Sequence, residues 1–128
     1  MTLAYLDASA FVKTINMEPE SERLLGWLRD WPNRTSSALL RTEALRAAHR
    51  YGIDAVTETR VLLGDLTLVA LDDAILNAAG ELPVNVRSPD AIHLATARAL
   101  GSDVGVLVTY DDRMSRAATE IGIEVVSP

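Results

Sequence analysis

Cysteine is absent from this chain of 128 residues, and Lys13 is its only lysine. The lack of cysteine excludes a disulfide scaffold, a thiolate zinc site and a cysteine nucleophile, and it is typical of a reducing compartment. No apolar run approaches the roughly 18 residues that a membrane helix needs. The N-terminal segment reaches Asp7 without the basic start of a secretory signal. We therefore expect a cytoplasmic protein with no membrane contact.

Basic side chains are scarce relative to acidic ones, 12 against 18, which gives a formal net charge of −6. An acidic chain is a poor electrostatic match for nucleic acid unless cations neutralise some of its carboxylates. All the basic residues except Lys13 are arginines. This bias favours bidentate contacts with carboxylate or phosphate groups, and a GC-rich coding sequence explains it equally well.

The chain alternates between strand patterns and helix patterns to its end. Strands are predicted at Leu3–Leu6, Arg34–Ser37, Leu66–Leu71, Val104–Tyr110 and Ile123–Val126. Helices are predicted from about Ser9, after Pro19, at Leu39–Tyr51, from about Asp54 to Leu63, from Asp72 to about Gly80, at Ser88–Leu100 and from about Arg113 to Ile121. This alternation predicts a single domain over residues 1–128, a three-layer α/β/α sandwich around a mostly parallel sheet.

Four carboxylates occupy corresponding places in this pattern. Asp7 and Asp111 follow predicted strands, whereas Glu43 and Asp90 lie in the first turns of predicted helices. In a βα fold the carboxyl ends of strands and the N-termini of the following helices meet at one edge of the sheet, where ligands bind. Each acid alone has a plain explanation, because helix dipoles favour acids in first turns. Their joint placement predicts an acidic rim.

An acidic rim raises several carboxyl pKa values unless a cation lies between the acids. Because the ligands are oxygens and cysteine is absent, the set favours Mg²⁺ or Mn²⁺ over zinc. The chemistry that such a site suggests is metal-assisted hydrolysis of a phosphodiester by activated water.

Two other classes of protein also place acids at this edge of a parallel sheet. A phosphoacceptor receiver domain requires a late lysine, and no lysine follows Lys13. A haloacid-dehalogenase-like phosphatase requires an aspartate two residues after the first one, where Ser9 stands here. Both classes therefore fit the sequence poorly.

Four segments of the sequence together carry a family resemblance. They are Tyr5-Leu6-Asp7-Ala8-Ser9-Ala10, the isolated Glu43, the run from Ser88 to Ala97 with Asp90-Ala91-Ile92-His93-Leu94-Ala95 inside it, and Val108-Thr109-Tyr110-Asp111-Asp112-Arg113. In this order they resemble the PIN-domain ribonucleases, and among those the VapC toxins of toxin–antitoxin operons.

The resemblance implies site residues of three kinds. The acids that hold Mg²⁺ or Mn²⁺ and cleave RNA would be Asp7, Glu43, Asp90 and Asp111, with supporting hydroxyls at Ser9 and Thr109 and an auxiliary acid at Asp112. We expect His93 to pack and hydrogen bond, with substrate contact as the alternative, and His49 to be solvated. RNA-guiding arginines are expected among Arg41, Arg46, Arg50, Arg87, Arg113 and Arg116.

The expected function is a metal-dependent endoribonuclease, the toxin of a type II toxin–antitoxin pair. The alternative is a PIN-like module that binds RNA or protein without cleavage. The resemblance also implies a homodimer and a VapB-type antitoxin whose C-terminal segment binds the early helices. There, Trp27 and Trp31 share a predicted helix face near Leu28, and we expect these three to contact the antitoxin, with packing on the core as the alternative for the indoles.

Overall fold

Five short strands form one sheet in the computed structural model, which describes residues 2–128. The strands are β1 (Leu3–Leu6), β2 (Arg34–Ser37), β3 (Thr67–Val69), β4 (Val104–Val108) and β5 (Val125–Val126). Their order across the sheet is β3-β2-β1-β4-β5, and every neighbouring pair is parallel. The predicted α/β/α fold with a parallel sheet is confirmed.

Seven α-helices connect and cover the strands. They are α1 (Ala8–Lys13), α2 (Ser21–Leu28), α3 (Leu39–Ala48), α4 (Ile53–Leu63), α5 (Asp73–Glu81), α6 (Ser88–Leu100) and α7 (Asp112–Glu120). Short 3₁₀ segments at His49–Tyr51 and Gly101–Asp103 follow α3 and α6. Glycine ends the first of these segments because Gly52 has a φ of +97°, which other residues rarely adopt.

Several boundaries differ from the sequence prediction. The helix that was predicted to extend to Tyr51 is α-helical only as far as Ala48. Helix α2 begins two residues after Pro19. Helix α6 begins at Ser88, and Arg87 occupies the N-cap position of this helix. The strand that was predicted to extend to Tyr110 ends at Val108. Val108 pairs with Leu6, the last residue of β1, and with Val126, the last residue of β5, so neither neighbouring strand continues beyond it.

The two faces of the sheet bury different parts of the same strands, because alternate side chains of a strand point to opposite sides. On one face, β1 and β4 pack against α2 through Ala4, Leu6, Val106, Val108, Leu24 and Leu28. On the other face, they pack against α6 and α7 through Tyr5, Leu107, Leu94, Ala97 and Met114. Strand β1 is therefore covered on both sides, and it lies at the centre of the sheet.

The remaining helices extend these two layers. Phe11 of α1 packs with residues of α3 and α4, and Ile75 and Ala79 of α5 pack against α6. No helix within residues 2–128 is both long enough and apolar enough to cross a bilayer.

The tryptophan pair lies partly inside the first of these layers. Helix α2 ends at Leu28, so Trp31 lies beyond the helix and does not share a helical face with Trp27 as the sequence predicted. The two indoles still stack, with ring centroids 5.3 Å apart, and both pack against the core. Trp31 also lies so close to Gly105 that an added Cβ there would be 3.0 Å from the ring.

Leu28, which was expected at the partner surface, is largely buried. Its side chain is 1% exposed and lies in the core between α2 and the sheet. The apolar face of this short helix is the face that the sheet covers, and Leu28 also lines the narrow groove beside α2. Its contact with a partner stays a prediction.

Candidate functional site: an acidic cleft at the carboxyl edge of the sheet

Asp7 is placed by the transition from β1 to α1. It follows Leu6 with an extended backbone, and its Oδ1 accepts a hydrogen bond from the backbone N–H of Ala10 at 3.0 Å, so it is the N-cap of α1. The cap fixes the carboxylate at the carboxyl edge of the central strand. The sequence predicted this position.

Two hydroxyl groups complete the surroundings of the Asp7 carboxylate. Ser9 Oγ donates to Oδ1 at 2.7 Å, and Thr109 Oγ1 donates to Oδ2. Asp7 is only 4% exposed, and burial raises its pKa, although the bonds from Ser9 and Thr109 oppose that shift. Ser9 and Thr109 therefore lie where the family resemblance implied, one on each side of the acid.

The segment after β4 is bonded to the segment after β1. Tyr110 donates its backbone N–H to Ser9 Oγ at 2.9 Å, and Asp111 donates its own to Thr109 Oγ1 at 3.1 Å. Thr109 and Tyr110 extend beyond the paired part of β4, so their polar groups are available for these contacts. The two strand ends thus form one hydrogen-bonded unit around Asp7.

Asp111 and Asp112 begin the last helix. Asp111 is the N-cap of α7, where its Oδ1 accepts from the backbone N–H groups of Arg113 and Met114 at 2.9 and 3.1 Å. Asp112 is in the first turn, and both carboxylates are exposed. Capping by Asp111 orients its side chain at the same edge of the sheet as Asp7.

Glu43 lies in the second turn of α3, which begins at Leu39 as the sequence predicted. Its Oε1 is 2.6 Å from Nε2 of His93, whose side chain is 1% exposed. Nδ1 of His93 is in turn 2.8 Å from the hydroxyl of Tyr5, which is completely buried. The expectation that His93 packs and hydrogen bonds matches this geometry, but the sequence analysis missed Tyr5 altogether.

An open cleft of about 570 Å³ lies between α3, α6 and α7. Its lining is mainly charged and consists of Glu43, Arg87, Pro89, Asp90, Asp111, Asp112, Arg113 and Arg116. Asp7 is not part of the lining but lies close enough for its charge to act on Asp90. The structure thus brings all four predicted acids to one edge of the sheet.

The acids of this cleft repel one another. The pKa of Asp90 is raised first by burial and then by the negative charges of Asp111, Asp7 and Glu43, while His93 opposes the shift. Within residues 2–128, no three Asp, Glu or His side chains already converge on a single ligating position. The carboxylates share the cleft but stay apart, as repulsion between like charges favours.

The donor atoms fit a hard divalent cation. All the acids offer carboxylate oxygens, and the chain has no cysteine, so the set suits Mg²⁺ or Mn²⁺ better than zinc. A cation near Asp90 would also remove the repulsion that raises its pKa. These acids could therefore hold a hard divalent cation, with basic side chains at the border of the cleft.

The comparisons with known proteins agree with this fold. Residues 4–120 match the family model described as PIN domain. The chain is 47% identical to Ribonuclease VapC46 of Mycobacterium tuberculosis, across 100% of this chain and 99% of the relative. It is 35% identical to Ribonuclease VapC47 of the same species, across 98% and 97% of the two chains.

Solved structures show the same fold at lower sequence identity. A chain of a toxin–antitoxin complex from Klebsiella pneumoniae superposes with a TM-score of 0.77 at 23% identity, across 98% of this chain and 97% of that one. VapC20 of M. tuberculosis, described as a toxin that cleaves the sarcin–ricin loop, gives 0.77 at 18% identity across 98% and 99%. This chain belongs to the PIN-domain family and, within it, to the VapC proteins.

Removal of the Asp90 charge tests the repulsion within the cleft. Because its folded pKa lies above the usual 3.8, the folded chain holds this proton more tightly than the unfolded chain. The stability that the proton contributes is present at low pH and is lost as the pH rises from 3.8 through the raised pKa. In chelator, we expect Asp90→Asn to melt above the wild type at neutral pH and to lose this advantage as the pH falls towards 3.8.

Asp65→Asn is the matched control, because Asp65 is exposed and outside the cleft. It should follow the wild-type melting curve at each pH. An Asp90→Asn variant that melts at or below the wild type at neutral pH would contradict the repulsion.

Proposed function

We propose that this protein is a divalent-metal-dependent endoribonuclease that acts in the cytoplasm as the toxin of a type II toxin–antitoxin pair, with residues 1–128 forming one PIN domain. The observation that carries the proposal is the electrostatic coupling of Asp90 to Asp111, Asp7 and Glu43 at one cleft. Membership of the VapC proteins and 47% identity to a protein named as a ribonuclease support it.

The residues that would hold the cation are Asp7, Asp90, Asp111 and Glu43, with Asp112 as an auxiliary acid at the border. When bound, Mg²⁺ or Mn²⁺ supplies the activation of water for attack on phosphorus and offsets the negative charge of the phosphate. No side chain is required as a nucleophile.

Asp7 is the most firmly positioned of these acids. A carboxylate has about four lone-pair positions, and the bonds from Ser9, Ala10 and Thr109 occupy three of them. Oδ1 accepts two of these bonds and Oδ2 one, so the remaining position is on Oδ2. Ser9 and Thr109 therefore fix the orientation of the carboxylate and still leave it able to bind a cation.

Three arginines are placed to hold the RNA backbone. Arg87, Arg113 and Arg116 line the cleft together with the acids, whereas Arg41 lines a separate groove beside Arg60. Guanidinium groups bind phosphate oxygens in a bidentate manner. These three are the guides that we favour among the arginines considered from the sequence.

The alternative function is a PIN-like module that binds RNA or protein without cleavage. The gathering of acids at one cleft argues against it, because Asp90, Asp111 and Glu43 line the same cleft and the charge of Asp7 acts on Asp90. An active site accounts for such a group, and a binding surface does not require one. A cleavage assay with added metal separates the two functions.

A VapB-type antitoxin and a homodimeric state complete the proposal. A narrow apolar groove next to α2 includes Phe11, Leu25 and Leu62 in its lining, and the Trp27–Trp31 stack is half-buried on the same helix and the turn that follows. A basic side chain of the antitoxin could also pair with the cleft acids and compete with the cation. Trp27 and Trp31 remain partner candidates that also contribute to the core.

Replacement of Asp7 by asparagine tests the nuclease function. We expect Asp7→Asn to lose at least about 100-fold of the Mg²⁺- or Mn²⁺-dependent RNA cleavage rate, because small displacements of a reacting group cost this much. The circular dichroism spectrum should be unchanged, since asparagine has the same shape and burial disfavours the charge that it removes. The ends of cleaved RNAs are mapped beside those from the wild type.

A melting experiment in Mn²⁺ accompanies the assay. The wild type should gain about 2.7 kcal/mol at a hundredfold excess over Kd, whereas Asp7→Asn should gain little. Asp65→Asn serves as the control and should behave as the wild type in both measurements. Wild-type turnover by purified Asp7→Asn would remove the acid cluster from the mechanism.

Alanine at Trp27 or Trp31 tests the partner surface. We expect each variant to weaken binding of the cognate antitoxin without changing the RNase rate, because the indoles lie outside the cleft. Binding is measured by titration, and melting is measured in parallel. If affinity is unchanged while the melting temperature collapses, both indoles belong to the core alone.

A further inference from the structure

A buried chain of hydrogen bonds connects the sheet to Glu43. The backbone N–H of Ser37, the last residue of β2, donates to the hydroxyl oxygen of Tyr5 at 3.0 Å. That hydroxyl is 2.8 Å from Nδ1 of His93, and Nε2 of His93 is 2.6 Å from Oε1 of Glu43. The chain therefore passes from β2 through β1 and α6 to α3.

The donor and acceptor roles along this chain of hydrogen bonds follow from the groups at its two ends. Its oxygen already accepts from Ser37, and the acceptor that the structure provides for its own proton is His93 Nδ1. The Glu43 carboxylate on the other side of the ring can only accept a hydrogen bond, so it requires a proton on Nε2. Nδ1 is thus an acceptor, so the ring proton of a neutral His93 lies on Nε2 and is donated to Glu43.

The chain of hydrogen bonds reaches only one of the two carboxylate oxygens of Glu43. Oε1 accepts from His93, whereas Oε2 makes no hydrogen bond within residues 2–128. The Glu43 side chain is 25% exposed and lines the acidic cleft. One oxygen is thereby held towards the protein interior, and the second is available at the cleft.

Burial keeps this arrangement rigid. Tyr5 is completely buried and His93 is 1% exposed, and their rings meet edge to face at 5.8 Å. His93 also lies one helical turn after Asp90 on α6, so the same helix that carries Asp90 holds Glu43 through this imidazole. The bond between His93 and Glu43 joins α6 to α3 at the mouth of the cleft.

We propose that Tyr5 and His93 are positioning residues that hold the Glu43 carboxylate at the cation site of the cleft, with the His93 ring donating from Nε2 to Glu43 and accepting at Nδ1 from Tyr5. This inference rests on the proposed metal-dependent nuclease function. Histidine fixed by an acceptor on one nitrogen and a carboxylate on the other is a common means of orienting a group near a metal. Here the group oriented is an acid, and a tyrosine hydroxyl holds the far side of the imidazole.

The tautomer is measured on the unmodified protein. Nitrogen-15 NMR of the imidazoles in the metal-free full-length chain should show an unprotonated Nδ1 and a protonated Nε2 for His93 at neutral pH. The exposed His49 provides the reference for an unconstrained ring. A protonated Nδ1 on His93 in the wild type overturns the proposal, whatever the variants do.

Two variants at position 93 separate positioning from packing. In His93→Gln, the amide oxygen can accept from Tyr5 and the amide N–H can donate to Glu43, whereas His93→Leu keeps the volume and removes both contacts. We expect His93→Leu to weaken the Kd for Mn²⁺ by about tenfold or more, and His93→Gln to keep most of the affinity. Equal losses in the two variants would show that His93 only packs.

Tyr5→Phe removes the hydroxyl and leaves both rings. We expect His93 to keep the Nε2–H tautomer that Glu43 requires, but with weaker Mn²⁺ binding and a kcat lower by about tenfold. The KM for RNA should be unchanged, because the arginines of the cleft do not contact Tyr5. His49→Gln is the control and should not change any of these values. A Tyr5→Phe protein with the wild-type Mn²⁺ affinity overturns the proposal.

Glu43→Gln distinguishes failure of this inference from failure of the proposed function. If Glu43→Gln loses cleavage and Mn²⁺ affinity while His93→Leu keeps both, the nuclease function stands and the positioning role is wrong. If Glu43→Gln cleaves RNA at the wild-type rate, Glu43 is not a site residue. Both the positioning inference and the proposed role of Glu43 in holding the cation are then wrong.

Discussion

The carboxylate of Asp7 is the constraint on which the rest of the site depends. It is the single acidic side chain within residues 2–128 that the fold buries. Burial alone would favour its neutral form, so the chain surrounds it with hydrogen-bond donors from the ends of two neighbouring strands. Parallel pairing of β1 with β4, which brings Leu6 opposite Val108, places those donors there. The pairing of the central strands therefore also builds the site.

The charges of the cleft follow from the same geometry. Parallel strands and the helices after them end at one edge of the sheet, so acids that are far apart in the sequence meet there. Their mutual repulsion raises the pKa of Asp90, and the arginines at the border are placed around the acids. A cation among the acids would convert this edge into a surface that accepts phosphate. An overall acidic chain can bind RNA in this way without a large basic face.

Local signals in the sequence predicted the parts of the structure that depend on neighbouring residues. The place of Asp7 at the end of β1, the start of α5 after Asp72 and the start of α6 near Pro89 are of this kind, and so is the approximate place of Asp90. The connection from Tyr5 to Glu43 was missed because it joins residues of β1, α6 and α3, and a tyrosine in an apolar strand gives no local sign of a polar partner. The burial of Leu28 was not predicted for a related reason, since only the packed sheet shows which face of α2 is covered.

The central claim is that acids from four separate segments form one cation site at the carboxyl edge of the sheet. Anomalous diffraction from crystals grown with Mn²⁺ tests it most directly, because the signal locates the metal independently of any activity. The account predicts an anomalous peak within ligating distance of Asp7, Asp90 and at least one of Glu43 and Asp111. Crystals that contain Mn²⁺ but show no peak at these carboxylates would contradict it.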